Sequence, residues 1–401
     1  MKNIDMTHGP IGRKTIRFAL LLALTGMLQQ VFNTIDTIIM GQFVGKEAMA
    51  AVGSNAPIIG FIVPFFIGIS LGGNVVISQM TGRGNQDGIH RAVFTTLAFA
   101  LFAGLLVMAV SEAVARPLLS LLLVPEALMP LSLEYLRIFF LALPGILMYN
   151  FSAAIFRSQG DTRTPLLCLA AAGVIKVIIS YSLVVFFHQG VAAVAISTTC
   201  ATLLSSAMLV TLLLGSQHVI HLDLKASLFD LYILREILRI GTPAGVQAAV
   251  FGLSNIVIQS AINSLGADVM AASAAAFNIE ILVYFFINAC GQTCTTFVGQ
   301  NFGAGNMARC RRVGIITTAQ NLAFTVLIGA PMLYFAEPLL HLFTADAAVI
   351  GFAIIRVYYI VLAEPLNLGI EMISGYLRGF GNSLAPALIT VVGICGFRIL
   401  Y

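Results

Sequence analysis

The fold is decided by a short stretch that occurs twice in the chain, QMTGRGN at residues 79–85 and QNFGAGN at residues 300–306. The numbering of the two copies differs by 221, and at the same offset Gly45-x-x-x-Met49-Ala50-Ala51 returns as Gly266-x-x-x-Met270-Ala271-Ala272. Over positions 45–165, 29 of 121 residues are identical to the residue at that offset, and three proline pairs keep this register: Pro117 and Pro338, Pro144 and Pro365, Pro165 and Pro386. The chain is therefore an internal duplication.

Each copy of the glycine-rich stretch predicts a turn that ends a helix. Both copies close an apolar run, follow no strand pattern and lack the Gly-Lys-Ser/Thr of a phosphate-binding P-loop. Glycine in this setting is typical of a helix C-terminus, where the backbone takes a left-handed conformation. No P-loop occurs elsewhere in the sequence, which argues against transport driven by ATP hydrolysis on this chain.

The composition places this duplication in a membrane. Of 401 residues, 59% are apolar and 9% are charged, and the mean hydropathy is +0.97. A soluble domain has about 25% charged residues. These values exclude a soluble globule and a disordered chain. The formal net charge of +4 leaves no broad basic face and argues against a nucleic-acid-binding domain. With about 20 apolar residues for each span, the length accommodates about ten to twelve membrane helices.

Apolar runs follow one another along the whole chain with short connections between them. The first run is too long for the core of a cleavable signal peptide. The longest connection covers about 215–236, and residues 228–240 are amphipathic, so we expect them to lie along the membrane surface. The runs lie at about 16–44, 52–80, 92–115, 131–156, 164–187, 190–214, 237–263, 273–301, 313–336 and 351–377, with an eleventh starting near 386.

Basic residues predict the orientation in the membrane. Fifteen Lys and Arg residues fall on the side of the N-terminus, and the opposite side carries only Lys46, Arg116, Arg137 and Arg356. Because short cytoplasmic loops are enriched in Lys and Arg, we expect a cytoplasmic N-terminus and a multi-pass protein of the inner or plasma membrane.

The predicted fold is an all-α polytopic membrane protein with two six-helix lobes. An offset that contains six spans, an even number, relates the lobes by a parallel pseudo-two-fold axis. We expect residues 1–215 to form the first lobe, 216–236 a cytoplasmic connection with an amphipathic segment, and 237–401 the second lobe. The duplication predicts a second unit that extends to about 436, so most of helix 11 and all of helix 12 are expected beyond this sequence.

Five ionisable residues inside the predicted spans are candidate functional residues. They are Asp36, Lys176, Glu280, Glu364 and Glu371. A charge at bilayer depth is costly, so such residues usually face a cavity or a partner. A carboxylate there can exchange a proton or bind a cation near neutral pH, which is the chemistry of cation-coupled antiport.

Helical spacing groups these residues with polar neighbours. Gln29, Asn33 and Asp36 share one face of the first span, and Glu280, Tyr284, Asn288 and Gln292 form a ladder in the eighth. Hydrogen bonding between helices is an equally open interpretation for the amides. The lobes differ in charge, because the repeat equivalents of Asp36, Glu280 and Glu371 are Val257, Ile59 and Asn150. Such asymmetry suits separate coupling and substrate sites.

The sequence does not indicate an enzyme, a metal site or a cofactor. Metalloprotease and nucleophile-elbow motifs are absent, and the six cysteines have no metal-ligand spacing with a histidine. We interpret the cysteines as small core residues.

Three segments resemble the MATE family, the multidrug and toxic compound extrusion transporters, in the branch that includes MepA-like and DinF-like proteins. These segments are residues 29–36, QQVFNTID, with Gly41 and Gly45; residues 300–306 with Arg309; and residues 157–161, RSQGD, followed by Thr164-Pro165. The resemblance extends from about Gly9 to the end of the sequence. It implies twelve helices in two lobes and export of cationic amphipathic compounds in exchange for protons or sodium ions.

The resemblance also implies roles for single residues. Asp36 matches the first-helix aspartate implicated in cation coupling, and Glu280 matches an eighth-helix glutamate implicated in recognising cationic drugs. The fifth helix departs from the family, because Lys176 and Ser180 stand where relatives often have Asn and Asp. If Lys176 faces Asp36, its ammonium takes the place of a coupled cation, which puts sodium coupling in doubt. Lys176 could equally be a structural partner of Asp36.

We therefore expect a secondary efflux antiporter that works by alternating access. Asp36, Lys176 and Asn33 are the predicted cation-coupling residues. The predicted substrate-binding residues are Glu280, Glu371, Gln29, Tyr284, Asn288 and Asn150. The expected partners are small cationic drugs or metabolites and the lipid bilayer, with the protein a monomer. A flippase for lipid-linked precursors and a passive channel remain as alternatives.

Overall fold

The chain folds into long helices joined by short turns. The structure, a computed structural model, describes residues 4–215, 220–222, 229–342, 344 and 346–396. The first half contains α1 (Ile11–Ile39, continued by a π-helical turn Met40–Val44), α2 (Lys46–Ser54), α3 (Ala56–Gly82), α4 (Gln86–Leu121), α5 (Met129–Phe140), α6 (Leu143–Ser158), α7 (Arg163–Val185) and α8 (Val191–Leu214). The second half contains α9 (Leu231–Ser264), α10 (Ala267–Gly303), α11 (Met307–Tyr334), α12 (Ala336–His341), α13 (Ala347–Gly379) and α14 (Leu384–Ile389, continued by a π-helical stretch Thr390–Gly396).

Membrane-spanning helices account for the predicted apolar runs. Among the described residues, nine helices are long and apolar enough to cross a membrane, or ten if the pair α5 and α6, bent by 43°, is one span. The shorter apolar helix 384–393 begins the eleventh run. Each predicted run falls on one of these elements, so the predicted all-α polytopic fold is confirmed.

The backbone repeats the sequence duplication. Gly45, Gly84 and Gly160 have φ of 117°, 71° and 85°, and their repeat equivalents Gly266, Gly305 and Gly381 have 102°, 74° and 88°. The left-handed conformation at these turns explains why glycine occupies both copies. The side chains of Asn85 and Asn306 each accept a hydrogen bond from the backbone N–H three residues later and so cap α4 and α11. The predicted helix-ending turns and the two-lobe repeat are both confirmed.

The lobes approach closely where α3 packs against α9. A Cβ on Gly68 would lie 2.4 Å from the Cα of Gly245, and one on Gly72 would lie 2.2 Å from the carbonyl oxygen of Ile237. Small residues four positions apart allow helix backbones to meet in this way in membranes. Gly68 and Gly72 on α3 face Gly241 and Gly245 on α9, so each helix contributes one such pair.

The lobes are also joined by two equivalent glutamines, which we call the glutamine clasp. Gln79 on α3 donates from Nε2 to the carbonyl oxygen of Gly379 at 2.9 Å, and Gln300 on α10 donates to that of Ser158 at 2.6 Å. Gln79 and Gln300 are equivalent in the repeat, as are Ser158 and Gly379. The repeated glycine-rich stretch therefore does more than end two helices, because its first residue ties each lobe to the other.

The described part of the predicted surface segment at 228–240 leads into a long helix. Most of the predicted connection before it lies outside the described residues. From Leu231 onward the segment forms the start of α9, and Asp230 caps it by accepting from the N–H groups of the second and third residues after it. Ile233, Ile237 and Ile240 are buried in one apolar cluster with residues of α3 and α4. An amphipathic stripe also suits packing on a neighbouring helix, so from Leu231 this segment begins the seventh span instead of lying apart on the membrane surface.

Candidate functional site

A buried ion pair joins α1 and α7 in the first lobe. The Lys176 ammonium lies 2.5 Å from Oδ2 of Asp36, and the two side chains are 9% and 12% exposed. Asp36 is about two turns before Val44 and Lys176 is near the middle of α7. In an apolar interior each charge compensates the desolvation of the other. The sequence leaves a contact between Lys176 and Asp36 as one possibility, and the structure shows it.

The pair leaves hydrogen-bonding capacity unused. Among the described residues, Oδ1 of Asp36 has no hydrogen-bond partner, and neither does the buried hydroxyl of Ser180, one turn after Lys176. Tyr135 on α5 is buried and within electrostatic range of Asp36. The Lys176 ammonium has three donors, but among the described residues its contact with Asp36 is to Oδ2 alone. The carboxylate therefore retains a free oxygen that can accept a proton.

The other two members of the predicted first-helix face are separate from this pair. Gln29 and Asn33 are exposed, whereas Asp36 is buried. In the described part of the chain, the side chain of Asn33 makes no hydrogen bond to Asp36 or Lys176. The structure therefore brings together two of the three predicted coupling residues.

A second buried ion pair joins α10 and α13 in the second lobe. Arg356 donates from Nη2 to Oε1 of Glu280 at 2.5 Å and from Nε to Oε2 at 3.3 Å, and its Nη1 donates to the hydroxyl of Ser273 at 2.6 Å. The side chains of Arg356 and Glu280 are 27% and 10% exposed. Two-point contact between guanidinium and carboxylate is directional as well as charged.

Arg356 is the functional candidate that the sequence analysis missed. Its place near the start of the tenth apolar run assigns it to a loop side, which leaves Lys176 as the one cation among the five ionisable residues predicted inside the spans. The structure corrects this, because Arg356 is the tenth residue of α13 and faces Glu280. One signal is present in the sequence: an arginine inside an apolar run requires a buried partner, and the eighth span offers a glutamate.

Further acidic residues form a polar neighbourhood around Tyr284. Tyr284 is within electrostatic range of Glu364, Glu371 and Arg378, and Glu364 is within range of Glu280. Glu364 accepts a hydrogen bond from Asn367 at 3.0 Å, and Nη2 of Arg378 donates to Oε1 of Gln247 at 2.6 Å. The structure therefore brings Glu280, Tyr284 and Glu371, all predicted substrate residues, into one region of the second lobe.

Two predicted substrate residues use their amides within their own helices. Asn288 accepts a hydrogen bond from Nε2 of Gln292 at 2.7 Å on α10, and Asn150 donates to the carbonyl oxygen of Ile146 at 2.8 Å on α6. Asn150 is on α6 of the first lobe and Gln29 is an exposed residue of α1. In the described part of the chain neither side chain is hydrogen-bonded to Glu280, Tyr284 or Glu371.

A small polar cavity lies where α3, α6 and α10 meet. Its volume is about 10 Å³, and its lining includes Asn74, Arg157, Gln292 and Thr296. Thr296 donates to Oδ1 of Asn74 at 3.0 Å across the lobe boundary, while Nε of Arg157 is buried with no hydrogen-bond partner among the described residues. This volume suffices for about one water molecule.

Comparison with known proteins identifies the family. The MatE family model matches twice, at residues 22–182 and 243–401, so the starts of the two matches keep the register of the duplication. The probable multidrug resistance protein YoeA of Bacillus subtilis is 26% identical over 97% of this chain and 86% of its own length. An FAD transporter of Shewanella oneidensis is 27% identical over 98% of this chain and 87% of its own length.

A solved structure has the same fold. It is described as the outward-facing conformation of a multidrug resistance MATE family transporter, and it matches 98% of this chain and 87% of its own with a TM-score of 0.91 and 19% identity. The two family matches cover most of the chain, one in each lobe. The chain is therefore a member of the MATE family of multidrug and toxic compound extrusion transporters.

Proposed function

We propose that this protein is a secondary antiporter that exports cationic amphipathic compounds in exchange for protons, with sodium as the alternative coupling ion. The observation that carries the proposal is the Asp36–Lys176 pair, buried between α1 and α7 with one carboxylate oxygen unpartnered among the described residues. A proton that reaches this oxygen neutralises Asp36 and leaves the ammonium of Lys176 alone in an apolar interior. That state is costly, so α1 and α7 rearrange.

Lys176 favours the proton over sodium. Its ammonium already occupies the position beside Asp36 that a bound sodium ion would need. A sodium ion also requires several oxygen ligands, and among the described residues Asn33, the third predicted coupling residue, makes no hydrogen bond to the pair. A proton needs only the free oxygen of Asp36.

In this mechanism the second lobe recognises the substrate. Glu364 and Glu371 lie within electrostatic range of Tyr284, and Glu280 lies within range of Glu364, while Arg356 and Arg378 supply two guanidinium groups. A cationic substrate would compete with Arg356 for Glu280 and gain attraction from Glu371. We assign substrate contact to these residues and to Asn288, with Gln29 and Asn150 contributing from the first lobe.

The glutamine clasp supports alternating access. Gln79 and Gln300 tie the lobes together at the ends of α3 and α10, on the side of the N-terminus. Since basic residues concentrate there, we propose that this side is cytoplasmic and that the clasp holds the cytoplasmic entrance closed. Protonation of Asp36 then shifts the equilibrium between a state with the glutamine clasp formed and a state with it broken. The shift requires that Asp36 have a different proton affinity in the two states.

The experiment is transport by purified protein in liposomes, with proton and sodium gradients imposed separately. We expect a fluorescent organic cation to be transported against its gradient when protons are supplied on the opposite side, and not with sodium alone. Transport that equilibrates the dye but needs no gradient would indicate a passive channel and contradict the proposal.

An organic anion is the second candidate substrate. One relative is named an FAD transporter, and this chain has a buried Arg157 at the boundary between the lobes whose Nε lacks a partner among the described residues. The same liposomes decide between the candidates when they are offered a flavin nucleotide beside the organic cation. If the flavin nucleotide is taken up and the organic cation is not, the substrate is an organic anion. The dependence of flavin uptake on the proton gradient then tests the antiport mechanism. Movement of a labelled lipid-linked pyrophosphate would favour the flippase.

A further inference from the structure

A groove on the outside of the first lobe carries three arginines. It lies between the start of α1 and the start of α7, and its volume is about 690 Å³. Arg13, Arg17 and Arg163 form its charged part, and Ile16, Leu20 and Leu21 form its apolar part. Arg13 and Arg17 are one turn apart on α1, about 6 Å along the axis, and the apolar residues continue the same face toward the middle of the helix.

The three guanidinium groups have no protein partner in the described part of the chain. Arg13, Arg17 and Arg163 are all exposed, and none of their side chains takes part in an ion pair or hydrogen bond there. The nearby carboxylate of Asp161 is occupied, because it accepts from the backbone N–H groups of Arg163 and Thr164 and from the Thr164 hydroxyl. The groove is therefore positive, with no acidic side chain in its described lining.

Three other basic residues at this end of the molecule are engaged. Lys14, next to Arg13, donates to the carbonyl oxygens of Asp5 and His8. Arg91 pairs with Asp230 at 3.3 Å, and Arg309 donates to the backbone of the N-terminal segment. The side chains of some other exposed arginines on this side also lack an ion-pair or hydrogen-bond partner among the described residues, namely Arg83, Arg235, Arg311 and Arg312. They do not line the groove, so the groove is distinguished by three such arginines bordering one apolar surface.

The duplication shows that the fold does not require these arginines. In the register of the repeat, the equivalents of Arg13, Arg17 and Arg163 are Leu234, Leu238 and Leu384. The second lobe builds the same helices, α9 and α14, with leucine at all three positions. The positive charge of these three arginines therefore has a role other than folding of the lobe.

We infer that the groove binds the headgroup of an anionic phospholipid. The three arginines would hold its phosphate, and an acyl chain would lie along Ile16, Leu20 and Leu21. Charge complementarity favours an anion, and basic pockets between helices at the membrane boundary bind anionic headgroups. Free phosphate does not explain the apolar half of the lining, whereas a lipid covers both halves.

The test is native mass spectrometry of the full chain after delipidation in detergent. We expect phosphatidylglycerol to form a saturable one-to-one adduct, phosphatidylcholine to bind about tenfold more weakly, and inorganic phosphate to leave the lipid adduct unchanged. Equal binding of the two lipids would overturn the inference. Displacement of the lipid by inorganic phosphate would assign the site to free phosphate and would overturn it as well.

Variants locate the adduct. In R13Q/R17Q/R163Q we expect the phosphatidylglycerol adduct to weaken about tenfold or more, because three charges near the headgroup are lost. R13K/R17K/R163K keeps the charge and should retain most of the binding. R235Q/R311Q/R312Q removes three exposed arginines outside the groove and should bind as the unmodified protein does. Loss of binding in this control variant, or full binding in the first variant, would contradict a site in the groove.

Discussion

The two lobes hold buried acid–base pairs of different construction. In the first lobe, Lys176 contacts one oxygen of Asp36 and the other oxygen has no partner among the described residues. In the second lobe, Arg356 contacts both oxygens of Glu280 and also Ser273. The lysine pair can accept a proton without losing a hydrogen bond first, whereas the arginine pair is directional and fully engaged. One scaffold thus carries a pair suited to switching and a pair suited to positioning.

A position of the repeat connects the two pairs. Arg356 corresponds to Tyr135, and Tyr135 is within electrostatic range of Asp36. The same site on the repeated scaffold therefore interacts electrostatically with the buried acid in both lobes, as an arginine in one and a tyrosine in the other. The two acids do not occupy equivalent positions of the repeat, because Asp36 is on the first span of its lobe and Glu280 is on the second span of its lobe.

The largest expected effect separates the two carboxylates in transport. D36N removes the group that accepts the coupled proton, so we expect gradient-driven export to fall to the level of empty liposomes for every substrate. E280Q should weaken export of a cationic substrate about tenfold, roughly 1.4 kcal/mol of lost attraction, and leave a neutral substrate unaffected. Liposome assays with one cationic and one neutral fluorescent substrate measure both variants. Export by D36N at the unmodified rate would remove Asp36 from the coupling role.

The next effect concerns stability of the first pair. K176M leaves the Asp36 carboxylate buried without a counter-charge, so we expect about 3 kcal/mol of destabilisation. D36L/K176M replaces both charges by apolar side chains of similar size and should recover most of that loss. The free, buried cysteines Cys290 and Cys294 report unfolding in detergent when a thiol-reactive dye reaches them. If D36L/K176M were as unstable as K176M, the loss of stability would not come from the unpaired charge of Asp36, and the expectation would be wrong.

A smaller effect is expected for the second pair. R356M should cost about 2 kcal/mol, less than K176M, since Arg356 is 27% exposed and water screens the remaining charge. R356K keeps the charge but loses two-point contact, so we expect about 1 kcal/mol. The same thiol assay ranks the variants. If R356M proved more destabilising than K176M, the second pair would contribute more to the stability of the fold than the first, contrary to this expectation.

The sequence predicted the scaffold better than the contacts. The repeat and the apolar runs indicated the lobes and the helices, because period and hydropathy are properties of a single helix. The sequence leaves the Asp36–Lys176 contact as a possibility, because two charges in apolar runs are possible partners but their spans are far apart along the chain. Arg356 was missed because hydropathy cannot tell a residue at the membrane boundary from one that faces inward. The glutamine clasp was missed because Gln79 and Gly379 are 300 residues apart, and only packing of the lobes brings them together.

Ser273 gives the smallest and most local test of the difference between the pairs. Its hydroxyl accepts from Nη1 of Arg356 at 2.6 Å, and no equivalent bond supports Lys176 among the described residues. S273A removes one charge-assisted hydrogen bond, so we expect about 1 kcal/mol of destabilisation. S264A is the matched control, because Ser264 is exposed and donates only to the carbonyl oxygen of Ala261 in its own helix. If the two variants unfold alike in the thiol assay, Arg356 is positioned by Glu280 alone, and the second pair then differs from the first only in the two-point contact of its guanidinium.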